Sequence, residues 1–125
     1  MADELSVSAS IIYEKNNHQL QFTPDQQTIT VSGEQHSAGV QALTTTHEAI
    51  QLNEVGASSQ GWAWFRNIGT DTASHIKVGV DNSGSFVEVF TLQGGEFAIM
   101  RVGDTALYAE SSTGTLYLQY SILEA

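Results

Sequence analysis

Ile76-Lys77-Val78-Gly79-Val80-Asp81-Asn82-Ser83-Gly84-Ser85-Phe86-Val87-Glu88-Val89-Phe90-Thr91-Leu92 is the stretch that decides the fold. Ile76, Val78 and Val80 alternate with Lys77, Gly79 and Asp81, the period of a strand with one face turned inward. Asp81-Asn82-Ser83-Gly84 has the composition of a tight turn, and Phe86 to Leu92 returns as a second strand. The segment therefore predicts a β-hairpin.

The same grammar continues on both sides. Downstream, Gln93-Gly94-Gly95 turns, and Phe97, Ile99 and Arg101 share one face of a strand whose other face is Ala98, Met100 and Val102. Gly103-Asp104 turns, Leu107-Tyr108-Ala109 is short, and Ser111 to Gly114 turns again. Leu116, Leu118, Tyr120 and Ile122 then alternate with Tyr117, Gln119, Ser121 and Leu123 in a closing strand. Upstream, Trp62 to Ile68 reads as a strand behind the polar loop Val55–Gly61, and Ala49–Leu52 as a short one. Val40, Ala42 and Thr44 alternate with Gln41, Leu43 and Thr45. Thr28–Val31 is a short β-branched strand closed by Ser32-Gly33. Leu20 and Phe22 return from a turn at Lys15-Asn16-Asn17-His18, and Leu5, Val7, Ala9, Ile11 and Tyr13 form one face of a first strand.

This amounts to roughly eight to ten short strands with turns every ~8–12 residues, the pattern of a β-sandwich or barrel. A single proline suits ladders that need every N–H. No strand–helix–strand rhythm appears, so the expectation is an all-β, antiparallel sandwich, a jelly roll or a related Greek key. A chain of 125 residues is long enough to bury a core as one domain over 1–125, with 1–14 as an extended arm or edge strand.

Composition narrows the role. With 14 acidic and 4 basic residues the net charge is −10, which disfavours nucleic acid and anionic membranes and suits a basic partner surface. No apolar run approaches the ~18–20 residues of a membrane span. The acidic start, Met1-Ala2-Asp3-Glu4, is unlike the basic region of a signal peptide. The absence of cysteine excludes disulfides, thiolate metal sites and a cysteine nucleophile.

Catalytic motifs are missing as well. His18, His36, His47 and His75 stand singly, without the spacing of a metal-ligand pair. No G-x-S-x-G elbow surrounds a serine. Asp81-Asn82-Ser83-Gly84 and Asp71-Thr72 lack the alternating ligands and closing Glu of a calcium loop, and Gly94-Gly95 is turn rather than phosphate cradle. No catalytic, cofactor-binding or metal-binding residue is nominated, and no cofactor is expected. Trp62-Ala63-Trp64-Phe65 is apolar on both faces, which points to cover from the domain or from another subunit. Two tryptophans on an open face would instead suit a sugar ring.

From Phe65 to Leu123 the chain resembles small virion proteins of tailed phages. The resemblance lies in Arg66-Asn67-Ile68-Gly69-Thr70-Asp71-Thr72 after an aromatic strand, Ile76-Lys77-Val78-Gly79-Val80, and Phe90-Thr91-Leu92 leading to Gly94-Gly95-Glu96-Phe97-Ala98. It continues through Ala106-Leu107-Tyr108-Ala109-Glu110 and Gly114-Thr115-Leu116-Tyr117-Leu118-Gln119-Tyr120. It implies a jelly-roll building block of a virion, foremost a capsid cement or decoration protein that bridges coat subunits, with no enzymatic activity. The implied partners are viral coat or other virion proteins and further copies of the chain, as a dimer or trimer. A tail or fibre module that binds a receptor or carbohydrate is the alternative. The residues expected at an interface are Leu5, Val7, Ile11, Tyr13, Trp62, Trp64 and Phe65.

Overall fold

A computed structural model describes residues 4–125. The acidic start at Met1–Asp3 and the first residues of the expected arm lie outside them. The described residues are all-β apart from one short 3-10 turn at Ala57–Ser59. The chain divides into two units, Met1–Ser32 and Gly33–Ala125. The break falls at the Ser32-Gly33 pair, so the sandwich expected over the whole chain is built from Gly33–Ala125, and what precedes it is longer than a 14-residue arm.

The first unit holds β1 (Leu5–Val7), β2 (Ile11–Lys15), β3 (His18–Phe22) and β4 (Gln27–Ile29). The run from Leu5 to Tyr13 is two strands rather than one. β1 pairs with β4, whereas β2 pairs with β3, so the ladder changes partner across Ser8-Ala9-Ser10. Asn16 and Asn17, at φ 51° and 65°, make the two-residue turn of the β2–β3 hairpin. A right-handed strand twist favours this turn, and asparagine tolerates its left-handed backbone. Glu4 accepts the Val31 N–H at 3.1 Å, and that bond holds its carboxyl below the ordinary range.

The second unit is a jelly roll. Its strands are β5 (His36–Leu43), β6 (Glu48–Ala49), β7 (Gln60–Asn67), β8 (His75–Asn82), β9 (Ser85–Gln93), β10 (Phe97–Arg101), β11 (Tyr108–Ser111) and β12 (Leu116–Glu124). They pair from the middle of the unit outward: β8 with β9, β7 with β10, β6 with β11, β5 with β12. All are antiparallel, as in one long ribbon. Additional pairing of β12 with β7 and of β11 with β8 rolls the ribbon into two four-stranded sheets, β10-β7-β12-β5 and β6-β11-β8-β9. That is the jelly-roll order among the Greek-key sandwiches.

The inward faces form one core. Leu43, Ala63, Phe65, Leu118, Tyr120 and Ile122 come from the first sheet, and Ile76, Val78, Leu92 and Ala109 from the second. Phe65 and Phe90 meet across it with ring centroids 6.1 Å apart. Phe65 is fully buried. Its nomination as an interface residue is therefore corrected: in β7 it alternates with Trp64 and belongs to the core.

The alternation in β5 runs against hydropathy. Ser37, Gln41 and Leu43 are buried, whereas Val40 is exposed. The buried polar groups are satisfied by β6 and the segment after it. Gln41 donates to the Ala49 carbonyl at 3.0 Å and accepts the Gln51 N–H at 3.1 Å, and the Ser37 hydroxyl donates to the Gln51 carbonyl at 2.7 Å. The Tyr120 hydroxyl donates to Gln51 Oε1 at 3.1 Å. Full pairing removes most of the cost of burying these groups.

Candidate functional site

Two exposed apolar surfaces stand out, one in each unit. In the first unit, the β2–β3 register places Ile11 opposite Phe22 and Tyr13 opposite Leu20. Residues directly opposite in a ladder project to the same side, so these four form one patch. All four are exposed, between 48% and 68%. Ile11 and Tyr13, nominated from the sequence as interface residues, are exposed, and Leu20 and Phe22 share their face. Spacing showed that the latter two share a face; only the cross-strand register shows which neighbours they meet. Leu5 and Val7 are half-buried, paired with Ile29 and Gln27.

In the second unit, the outer face of the β10-β7-β12-β5 sheet carries the other surface. Trp62 and Trp64 point outward from β7, between inward Ala63 and Phe65. Ile99 lies opposite Trp64, Phe97 opposite Arg66, and Arg101 opposite Trp62. On the other side of β7, Gln119 lies opposite Arg66 and Ser121 opposite Trp64. Phe97 is 66% exposed, Ile99 42% and Trp64 38%. Together with Arg66 and Gly95 they line a concavity of about 360 Å³. The Arg101 guanidinium lies over Trp62, 5.7 Å from the ring centroid. Trp62 Nε1 is buried without a hydrogen-bond partner, a deficit that costs about 1–3 kcal/mol. Of the two sources of cover expected for this strand, the domain itself does not supply it on the outer side at Trp64.

The electrostatics of this face differ from those of the chain. Both arginines, Arg66 and Arg101, lie on it. The strands β5, β7 and β10 contain no acidic residue, and β12 contains none before Glu124. Among the described residues no carboxylate pairs with either arginine. Glu96 lies in the preceding turn, where its Oε1 accepts the Gln93 N–H at 2.7 Å.

The remaining polar groups have structural roles. His47 Nε2 lies 3.0 Å from Asp81 Oδ1, and its ring is flanked by Phe86 and Tyr108 at centroid distances of 5.4 and 5.7 Å. Asp71 accepts the Ala73 N–H and the Ser74 hydroxyl, each at 2.9 Å. Those bonds, the backbone one foremost, hold its carboxyl below the ordinary range. Among the described residues no group of three or more His, Asp and Glu side chains converges on a metal position. Nor is any described helix long and apolar enough to cross a membrane.

No protein-family model matches the chain, and no curated protein matches it. Among solved structures it is similar to a chain from work described as "Bacillus endospore appendages form a novel family of disulfide-linked pili". The TM-score is 0.43 and the identity 13%, over 79% of this chain and 98% of that one. A likeness of that depth says nothing about the role of this chain.

Proposed function

We propose that this chain is a non-enzymatic structural protein of a virion, a capsid cement or decoration subunit whose first unit docks on the coat and whose jelly roll is the rigid block it carries. The observation that supports this reading is the β2–β3 patch of Ile11, Tyr13, Leu20 and Phe22. A two-stranded hairpin has no interior of its own and is at best marginally stable in water. Fully covering each of these side chains is worth roughly 1.5–3 kcal/mol, so docking stabilises hairpin and complex together. The open strand edges offer a neighbouring sheet further backbone hydrogen bonds. A net charge of −10 favours a basic patch on the coat.

The test is rebinding of purified chain to particles of the parent phage prepared without it. The wild type should cosediment with the particles and raise their resistance to heat. Ile11→Ser combined with Phe22→Ser should lose both effects. Absence of the chain from purified wild-type particles, or undiminished binding by the double variant, rejects the reading.

A further inference from the structure

We propose that the outer face of the β10-β7-β12-β5 sheet binds a short acidic oligosaccharide. The charge distribution is the first reason. The chain carries −10 overall, yet this face holds two arginines that pair with no carboxylate among the described residues, and no acid along its strands up to Leu123. A face that collects both arginines of so acidic a chain is complementary to an anion.

The shape and composition of the face select the kind of anion. The concavity of about 360 Å³ beside Trp64, Phe97 and Ile99 falls in the range of small-ligand sites. Exposed aromatic rings stack on the C–H faces of sugar rings, their flat apolar surface meeting a flat apolar surface. A guanidinium takes a carboxylate or sulfate through two parallel N–H bonds, which fixes orientation as well as charge. Arg66, at the rim of the same concavity, supplies such a fork. Arg101 lies with Trp62 further along the same two strands.

Charge also limits the length of the ligand. With +2 on this face, the rest of the chain carries −12. A long acidic polymer that left the face would come within a Debye length, about 8–10 Å, of that surface and be repelled. A short glycan keeps its charge over the arginines. A neutral glycan stacks but leaves the guanidinium groups unused.

The chain's two tryptophans, Trp62 and Trp64, both lie on this face, so tryptophan fluorescence of the full-length chain, excited beyond the tyrosine absorption band, reports it alone. The probes are tetragalacturonate, 6′-sialyllactose and a sulfated heparin tetrasaccharide, with maltotetraose and hexaglutamate as comparisons. At least one acidic glycan should shift the emission and bind at least about tenfold more tightly than maltotetraose, with weakening as salt rises. Arg66→Ala should weaken that binding by about tenfold or more, and Arg66→Lys should restore only part of it. Lys77→Ala, on the other sheet, should bind as wild type.

Four results overturn the proposal: no response to any acidic glycan, equal affinity for maltotetraose, undiminished binding by Arg66→Ala, or tighter binding of hexaglutamate, which would assign the face to an acidic protein. A fifth is an oligomer, seen by light scattering, that Trp64→Ser dissociates; the face would then be covered by a second copy. Particle rebinding by the Ile11 and Phe22 variants is read separately, so failure of either proposal leaves the other intact.

Discussion

The hairpins β2–β3 and β8–β9 are built alike and end differently. Each turns through two residues of positive φ, Asn16-Asn17 in one and Ser83-Gly84 in the other. Each alternates along antiparallel strands. Yet Ile76, Val78 and Leu92 of β8–β9 are buried, whereas Ile11, Tyr13, Leu20 and Phe22 of β2–β3 are exposed. Local sequence writes a hairpin; burial depends on what later pairs with it and lies over it. β8 gains β11 as a second neighbour, and its sheet faces another across a shared core. β2–β3 remains a two-stranded sheet. The contrast teaches that the same local pattern yields a buried face only where further strands and a second sheet come to cover it.

The strongest way to break the comparison is the same kind of cut in the buried hairpin. Ile76 is fully buried. Ile76→Ala should cost about 2–5 kcal/mol, the lost transfer energy plus the cavity left among close-packed neighbours. Denaturant unfolding should show a lower midpoint with an unchanged slope. A loss near zero would mean that the two hairpins do not differ in the way their burial implies.

Backbone approach sharpens the contrast next. β8–β9 is bulged between Val78 and Gly79, and a Cβ added at Gly79 would lie 1.9 Å from the Val87 carbonyl oxygen. That obstacle is main chain, so it cannot swing aside. Gly79→Ala should cost about 1–3 kcal/mol through forced displacement of the bulge. The β2–β3 register runs without a shift.

The entry to β8 gives a smaller, pH-dependent effect. Asp71 is exposed and acts through its bonds to Ala73 and Ser74. Its carboxyl is held below the ordinary range in the folded state, so its contribution is complete above the unfolded-state value. The contribution is lost as pH falls from the ordinary carboxylate range through the lowered folded-state value. Asp71→Asn should therefore lower Tm at neutral pH and show a shallower decline than wild type below about pH 5. Parallel curves for the two proteins would show that the charge contributes nothing.

Much of the second unit was legible in the sequence. Alternation located the β8–β9 hairpin, the face shared by Phe97, Ile99 and Arg101, and the final strand from Leu116, because each keeps a period of two and is bounded by a turn rich in glycine or asparagine. Which face of Phe97–Arg101 points outward was not legible, since both are apolar. Three features were not. The partner change at Ser8-Ala9-Ser10 leaves the period of Leu5–Tyr13 intact, since periodicity records the face a residue takes and not the strand it pairs with. The inward Gln41 and outward Val40 invert the hydropathy rule, because the acceptors and donors that satisfy Gln41 come from Ala49 and Gln51. Phe65 was read with Trp64 as an interface residue because the segment is apolar on both sides; one side faces the core and the other solvent. The arginine-bearing face needed the strand order itself, which brings β5, β7, β10 and β12 into one sheet.

The smallest expected effect completes the contrast. Ile11→Ala removes from β2 the same atoms that Ile76→Ala removes from β8. Ile11 is 67% exposed, so little apolar area is recovered from water on folding and no cavity forms. Unfolding of the jelly roll should shift by no more than about 0.5 kcal/mol. Any change above that bound would mean that Ile11 contributes to folding in the free chain. If the hairpin patch is a docking surface, the same substitution weakens particle binding while leaving Tm in place. A side chain that matters to association and not to stability is the signature that separates a used surface from a failed core.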